Sequence, residues 1–255
     1  MHDRHDGPLR VLRSLYPEGP GICHQVLVHP PGGLVGGDRL AIELNVETGA
    51  HALITTAGAS RFYRSAGALA EQDTTLQLAA GARAEWLPLE SIGYDGCLAR
   101  NRLRFTLADG AQMLGWDLLA LGLPAAAQPF ARGHFEQHIE WPGVWRERGL
   151  IDAADRRLLD SPLGLDGHSV SATLWFASGT AIATAQRDAL LDVARAVTLE
   201  TAVTNGTTAP NAHMIVLRAL APSVEPAMAL LRGVWAAWRQ AAWALAGDAP
   251  RVWRT

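Results

Sequence analysis

The segment from Asp38 to Glu47 alternates, with Leu40, Ile42, Leu44 and Val46 on one face, the period of a half-buried strand. Thr48-Gly49 turns this segment and Ala50 to Thr56 continues it. The scheme recurs. Asp73 to Ala80 carries Leu76 and Leu78 on one face, Gly81 turns it, and Ala82 to Leu89 follows. Asn101 to Leu107 places Leu103, Phe105 and Leu107 inward, and Asp109-Gly110 turns it into Ala111 to Trp116. His168 to Ala177 repeats it with Val170, Ala172, Leu174 and Phe176, then Ser178-Gly179 and Ala181 to Thr184. Each unit reads strand, glycine turn, strand. Gly49, Gly81 and Gly110 lie 32 and 29 residues apart. The expected fold is mainly β: stacked strands in a β-helix-like (solenoid-like) arrangement or a large sandwich.

The last third changes period. Ser223 can cap a helix that begins near Glu225-Pro226, with proline in its first turn. Ala227 to Ala246 is rich in Ala, Leu and Arg, and Gly247 reads as the stop. Trp235, Trp238 and Trp243 fall near one side at helical spacing, a core stripe or else a groove face for a partner. A shorter helix is expected over Ala153 to Leu159. That makes about two α-helices, one near the C-terminus. With no long Pro/Ser linker, residues 1–255 read as one domain.

Composition narrows the function classes. The 255 residues are 49% hydrophobic, enough for a sizeable core. A net charge of −3 offers no basic field for nucleic acid or an anionic membrane. The longest apolar runs, such as Leu118 to Ala127, are too short to span a bilayer. The polar start Met1-His2-Asp3-Arg4-His5-Asp6 is not a secretory signal, and two cysteines fit a reducing cytoplasm. All 22 basic residues are arginine, so a P-loop, which needs its lysine, and Schiff-base chemistry are both excluded.

The most unusual segment is His29-Pro30-Pro31-Gly32-Gly33-Leu34-Val35-Gly36-Gly37-Asp38-Arg39. Its prolines and glycines dictate a backbone path, with Gly36 and Gly37 free to approach other chain closely or take φ > 0. Asp38 then puts a carboxylate at the start of a strand. Cys23, His24 and His29 look like metal ligands. On a strand, however, Cys23 and His24 face opposite sides, and Cys23 and His29 lie roughly 20 Å apart, so they serve at most as separate waypoints for a soft metal. His134, Glu136, His138 and Glu140 alternate with Phe135, Ile139 and Trp141, a solvated strand face. Asp117 interrupts an apolar run, Met113 to Leu119, so it is either paired with an arginine or facing a polar internal passage. Glu147 lies between Arg146 and Arg148, which reads as surface ion pairing. Arg61-Phe62-Tyr63-Arg64 suits an internal or protein contact. No Gly-x-Ser-x-Gly elbow, His-Glu-x-x-His helix or Cys-x-x-Cys pair is present. These residues leave open a carbohydrate-active solenoid enzyme using Asp38 and Asp117, an interaction module presenting the tryptophan helix, and a scaffold.

Several segments together resemble the UreD (UreH) family of urease accessory proteins. They are Gly7-Pro8-Leu9-Arg10-Val11, Tyr16-Pro17-Glu18, Cys23-His24 leading to the glycine-rich loop and Asp38, and Thr55-Thr56. Gly58 to Ser65, Glu85-Trp86-Leu87-Pro88, Gly115-Trp116-Asp117 and Pro250 to Thr255 complete the set. The resemblance runs nearly end to end. It implies a non-enzymatic chaperone that binds apo-urease and UreF, recruits the GTPase UreG through UreF, and conducts nickel to urease through an internal tunnel. Nickel would be held only in transit, and this chain would bind no nucleotide. The positions matching the family's tunnel groups are Asp38, Ser60, Asp117 and Glu147, the nickel-path candidates. Two departures stand out. The family carries an N-terminal stretch with strands where only Met1 to Asp6 precede Gly7 here, so those strands are expected to be missing or to start upstream. Leu89 stands where the family often has Gln.

Overall fold

The structure is a computed structural model that describes residues 3–199 and 203–254; Met1, His2 and Thr255, quoted above, lie outside them. In chain order the strands are β1 (Arg10–Val11), β2 (Cys23–Val28), β3 (Arg39–Val46), β4 (His51–Thr56), β5 (Ser60–Phe62), β6 (Ala70–Leu78), β7 (Arg83–Leu87) and β8 (Ser91–Gly93). They continue with β9 (Cys97–Leu107), β10 (Gln112–Leu121), β11 (Gly133–Trp141), β12 (Trp145–Asp152), β13 (Val170–Ser178), β14 (Thr204–Asn211) and β15 (Met214–Ala221). Two sheets result. The larger has the order β1-β2-β4-β7-β10-β13-β15-β14, with β5 and β8 attached beside β10; the smaller is β12-β11-β9-β6-β3.

The first half is a solenoid. The chain steps from the larger sheet to the smaller and back, so β2, β4, β7 and β10 pair in parallel, as do β3, β6, β9 and β11. The glycine turns are the crossings. Gly49 N–H donates to Ala80 O and Gly81 N–H to Asp109 O, each at 3.2 Å, so one turn stacks on the next. The second half closes as a sandwich: β12 folds back antiparallel on β11, and β13, β15 and β14 extend the larger sheet antiparallel. The fold is thus mainly β with a stacked, solenoid-like arrangement and a helix near the C-terminus.

Three α-helices lie among the described residues rather than about two: α1 (Arg156–Asp160), α2 (Thr184–Arg195) and α3 (Val224–Trp243). α1 falls at the end of the expected short helix and is capped by Asp155, whose side chain accepts from Leu158 N–H. The strand expected over Ala181 to Thr184 does not form: residues 181–183 are irregular and Thr184 opens α2. This helix has no side-chain cap, so no start signal marks it, and it forms because Leu190 and Ala194 bury one stripe against α3. α3 begins at the expected place, but Ser223 makes no capping hydrogen bond, and the helix stops at Ala244 in the left-handed region (φ 54°) rather than at Gly247.

The larger sheet is buried on both faces. On its outer side Trp116, Leu174, Phe176 and Leu217 pack under α2 and α3, where Trp235, Trp238 and Trp243 are core. Between the sheets lie two further apolar clusters. One holds Ile42, Leu103, Phe105, Ile139, Trp175 and Val216; the other holds Leu34, Phe62, Ala99, Leu119, Phe135 and Ile151. Gly115 lies in the first region because a Cβ there would meet Trp175 Cζ2 at 2.3 Å, and that indole stacks on Phe105 with ring centroids 5.9 Å apart. Gly115→Ala should therefore cost about 1–3 kcal/mol by overpacking. Urea denaturation checks this, and wild-type stability in the variant would mean the ring moves freely.

An ionic network ties the N-terminal segment to α3. The fully buried Arg239 donates through Nε to the fully buried Glu85 carboxylate (3.1 Å) and through Nη1 and Nη2 to Glu18 (2.7 and 2.9 Å). It also donates to Ala246 O. Glu18 meets His24 Nε2 at 2.7 Å, and Glu85 meets His51 Nε2 at 2.7 Å and accepts from Trp235 Nε1 at 2.6 Å. Burial pushes the Glu18 carboxyl up, but hydrogen bonds from Arg239 and His24 outweigh it and hold it below the ordinary range.

Candidate functional site

A cavity of about 270 Å³ opens between the sheets. Its mouth is the glycine-rich loop, with His29, Pro30, Gly32 and Gly33 on one side and Ser60 and Arg61 of β5 on the other. The loop holds its place because Leu34, 1% exposed, donates its N–H to Arg61 O (2.7 Å) and accepts from Tyr63 N–H (2.9 Å). Gly36 and Gly37 behave as the loop pattern requires: a Cβ on Gly36 would lie 2.4 Å from Ser65 Oγ, and Gly37 has φ +96°.

The inner wall includes Gln72, Asn101 and Asp117, which belong to a longer polar layer laid down by strand register. In the smaller sheet Gln72, Asn101 and Gln137 occupy one row across β6, β9 and β11. In the larger sheet Asp117, Thr173 and Arg218 occupy one row across β10, β13 and β15. Both rows face the space between the sheets, and the two apolar clusters flank them: the row of Gly115, Trp175 and Val216 on one side, that of Leu119, Ser171 and Leu220 on the other. Polar groups buried between apolar layers are costly unless they are partnered or solvated. Here Gln72 Nε2 donates to Asn101 Oδ1 (3.3 Å) and Asn101 Nδ2 to Asp117 Oδ2 (3.1 Å), so a relay of amides leads to one carboxylate. Thr74 Oγ1, in the cavity wall, and Gln137 Oε1 find no hydrogen-bond partner. Those groups suit a passage that holds water or a small ion.

No arginine pairs with Asp117 among the described residues; its exposed surface is cavity wall. Burial pushes its carboxyl up to about 6, with the Glu147 charge adding to the rise while the amides of Gln137 and Asn101 pull the other way. Ser60 lines the same cavity nearer the mouth. Asp38 is outside the lining. Its Oδ2 accepts from Val35 N–H (2.9 Å), and its charge acts on His29 at the mouth, whose imidazole is nevertheless held below its ordinary value by burial. Glu147 does not pair with its sequence neighbours Arg146 and Arg148. It reaches across to the larger sheet, where Thr173 Oγ1 donates to Oε1 (2.9 Å) and Arg218 donates to Oε2 through Nη2 (2.6 Å) and Nε (3.0 Å). The structure thus brings Ser60 and Asp117 to one cavity, sets Glu147 beside Thr173, the cross-strand partner of Asp117, and leaves Asp38 at the rim.

Cys23, His24 and His29 do not converge: His24 is taken by Glu18, and among the described residues no group of three His, Cys, Asp or Glu side chains is arranged to hold one metal ion. His134 and His138 lie on the outer face of β11, where Glu136 is bound by Arg100 (2.7 and 3.2 Å). The residues that sequence reasoning missed are Gln72, Asn101, Gln137, Thr173 and Arg218. Each is an ordinary polar residue at an alternating position, and only register aligns them.

A family model described as UreD urease accessory protein matches residues 1–254. The chain belongs to the UreD family. A urease accessory protein UreD of Leptothrix cholodnii is 59% identical over 256 residues, covering 100% of this chain and 92% of the relative. The corresponding protein of Variovorax paradoxus is 61% identical over 254 residues, covering 99% and 92%. That of Verminephrobacter eiseniae is 62% identical over 251 residues, covering 98% and 91%. Membership of the UreD family implies a role in urease maturation alongside the urease machinery. No helix of the described residues is long and apolar enough to cross a membrane.

Proposed function

We propose that this chain is a non-enzymatic nickel-insertion chaperone of the cytoplasm. In this reading it is a scaffold that binds apo-urease and UreF, recruits the GTPase UreG through UreF, and passes nickel along the polar layer between its sheets. The observation that carries the reading is that layer: a carboxylate, Asp117, at the inner end of a cavity, approached by amides and bounded by apolar packing on both sides. Oxygen and amide donors hold a borderline divalent ion loosely, and weak binding at several places lets an ion move on, as in channels. Asp38 and His29 at the mouth, Ser60 on the wall, Asp117 inside and Glu147 beyond it form the ordered series of contacts. Nickel is cargo here, and the absence of any lysine agrees with nucleotide hydrolysis residing on UreG.

The test is urease specific activity and bound nickel in cells carrying the cognate structural subunits and the other accessory genes, with and without this gene. Urease that accumulates without nickel when the gene is missing, and gains both nickel and activity when it is restored, is the expected result. Unchanged nickel and activity would sink the chaperone reading and turn attention to Asp38 and Asp117 as an active site.

A further inference from the structure

The polar layer has a second end, where both of its rows finish in glycine. Beyond Arg218 the row of the larger sheet ends at Gly206 on edge strand β14; beyond Gln137 the row of the smaller sheet ends at Gly149 on edge strand β12. A Cβ at either glycine would meet nothing within 4 Å. What covers the layer there is one ion pair between the sheets, Glu147 of β12 with Arg218 of β15. Their side chains are 27% and 51% exposed. Glu147 accepts from Thr173 through its other oxygen, so the pair stands one strand away from Asp117.

We propose that Arg218 is a displaceable internal cation: it occupies Glu147 until a divalent metal ion takes its place, and so closes the far end of the passage. This deepens the reading of the layer as a metal path and rests on it. The physical case is competition for one carboxylate. A guanidinium cannot lose its proton, so Arg218 compensates Glu147 at any working pH. A partly exposed ion pair is weak, so a divalent cation can displace the guanidinium at little cost. Once displaced, Arg218 remains tethered a few ångströms away as a positive charge that repels the ion and competes for Glu147. The metal therefore binds loosely and leaves readily. Thr173 keeps the carboxylate aimed into the layer throughout. The bidentate fork suits Arg better than Lys, but charge is what the competition uses, so Lys is expected to preserve it.

The test is nickel titration of the isolated full-length chain by calorimetry. Arg218→Gln should bind Ni²⁺ at least fivefold more tightly than the wild type, and Arg218→Lys should match the wild type. Adding Glu147→Gln to Arg218→Gln should abolish the gain. An affinity for Arg218→Gln within twofold of wild type, or a gain that survives Glu147→Gln, overturns the proposal. Thermal unfolding of each variant excludes misfolding as the cause. Failure of the underlying metal-path reading shows separately, as normal urease activation by both Asp117→Asn and Asp38→Ala. A Glu147-dependent gain in the calorimeter would then still establish the Arg218 competition at a cation site.

Discussion

Arg239→Ala should destabilise the protein by about 3–5 kcal/mol, the loss expected when one partner of a buried ion pair is removed. The guanidinium is fully buried, and its removal leaves the Glu85 carboxylate, also fully buried, with His51 and the Trp235 indole but without its formal countercharge. It also frees Glu18, and with it the N-terminal segment that Glu18 pins to α3. The penalty is that of an orphaned charge, not of a lost attraction, and this distinction can be measured. The double variant Arg239→Met with Glu85→Gln removes both buried charges and should recover a large part of the loss, giving a coupling well above the few tenths of a kcal/mol seen for independent sites. Urea denaturation of Arg239→Met, Glu85→Gln and the double variant at pH 7 provides the cycle. Additive losses would show that Arg239 and Glu85 do not act as a unit.

Asp117→Asn should raise stability at neutral pH while urease activation falls at least tenfold. The sign follows from the proton. The Asp117 carboxyl lies at about 6 in the folded protein against 3.8 for an ordinary aspartate, burial being the main cause. Between those values the folded state keeps a proton that the unfolded state has released, so stability declines as pH rises through the window. At 1.36 kcal/mol per pH unit the cost at pH 7 is about 3 kcal/mol. An amide of the same shape removes it and can still accept from Asn101. The expected gain is about 1–3 kcal/mol at pH 7 and near zero at pH 4, read by urea denaturation at both values. A variant less stable than wild type at pH 7 would show that the carboxylate is satisfied in the folded state. Asp38→Ala, at the mouth, should also lower activation while leaving folding and UreF binding intact. Normal activation by both variants would end the metal-path reading.

Much of the β architecture could be read along the chain, because alternation is a local property. β3, β6, β9 and β13 fall on segments with apolar residues at every second position, β4, β7 and β10 follow the glycine turns as expected, and Gly49, Gly81 and Gly110 mark the crossings. α3 was legible for the same reason, from its helical stripe and Pro226. α2 was not: it lacks a cap and a proline, and its two buried residues find their purpose only against α3. Whether the strand units stack as coils or pair as hairpins was equally beyond the pattern. A strand segment and its glycine turn look the same in both, and the choice lies in hydrogen bonds between residues about thirty positions apart.

The candidate site divides along the same line. Asp117 could be picked out because a carboxylate in an apolar run is expensive wherever that run is buried. The cost alone left two outcomes, an arginine partner or a polar passage, and only the packed sheets show that Asp117 lines a cavity and has no arginine paired with it among the described residues. Glu147 shows the reverse: its neighbours in sequence are arginines, yet it bonds to Arg218, 71 positions away. Gln72, Asn101, Gln137 and Thr173 carry no signal in sequence because each is unremarkable by itself. The sequence by itself therefore determined the strand periods, the crossing glycines, the C-terminal helix and one carboxylate, Asp117, that burial would penalise. The tertiary structure alone decided which residues share a layer, since register sums many weak pairings across the sheets and no local pattern encodes that sum.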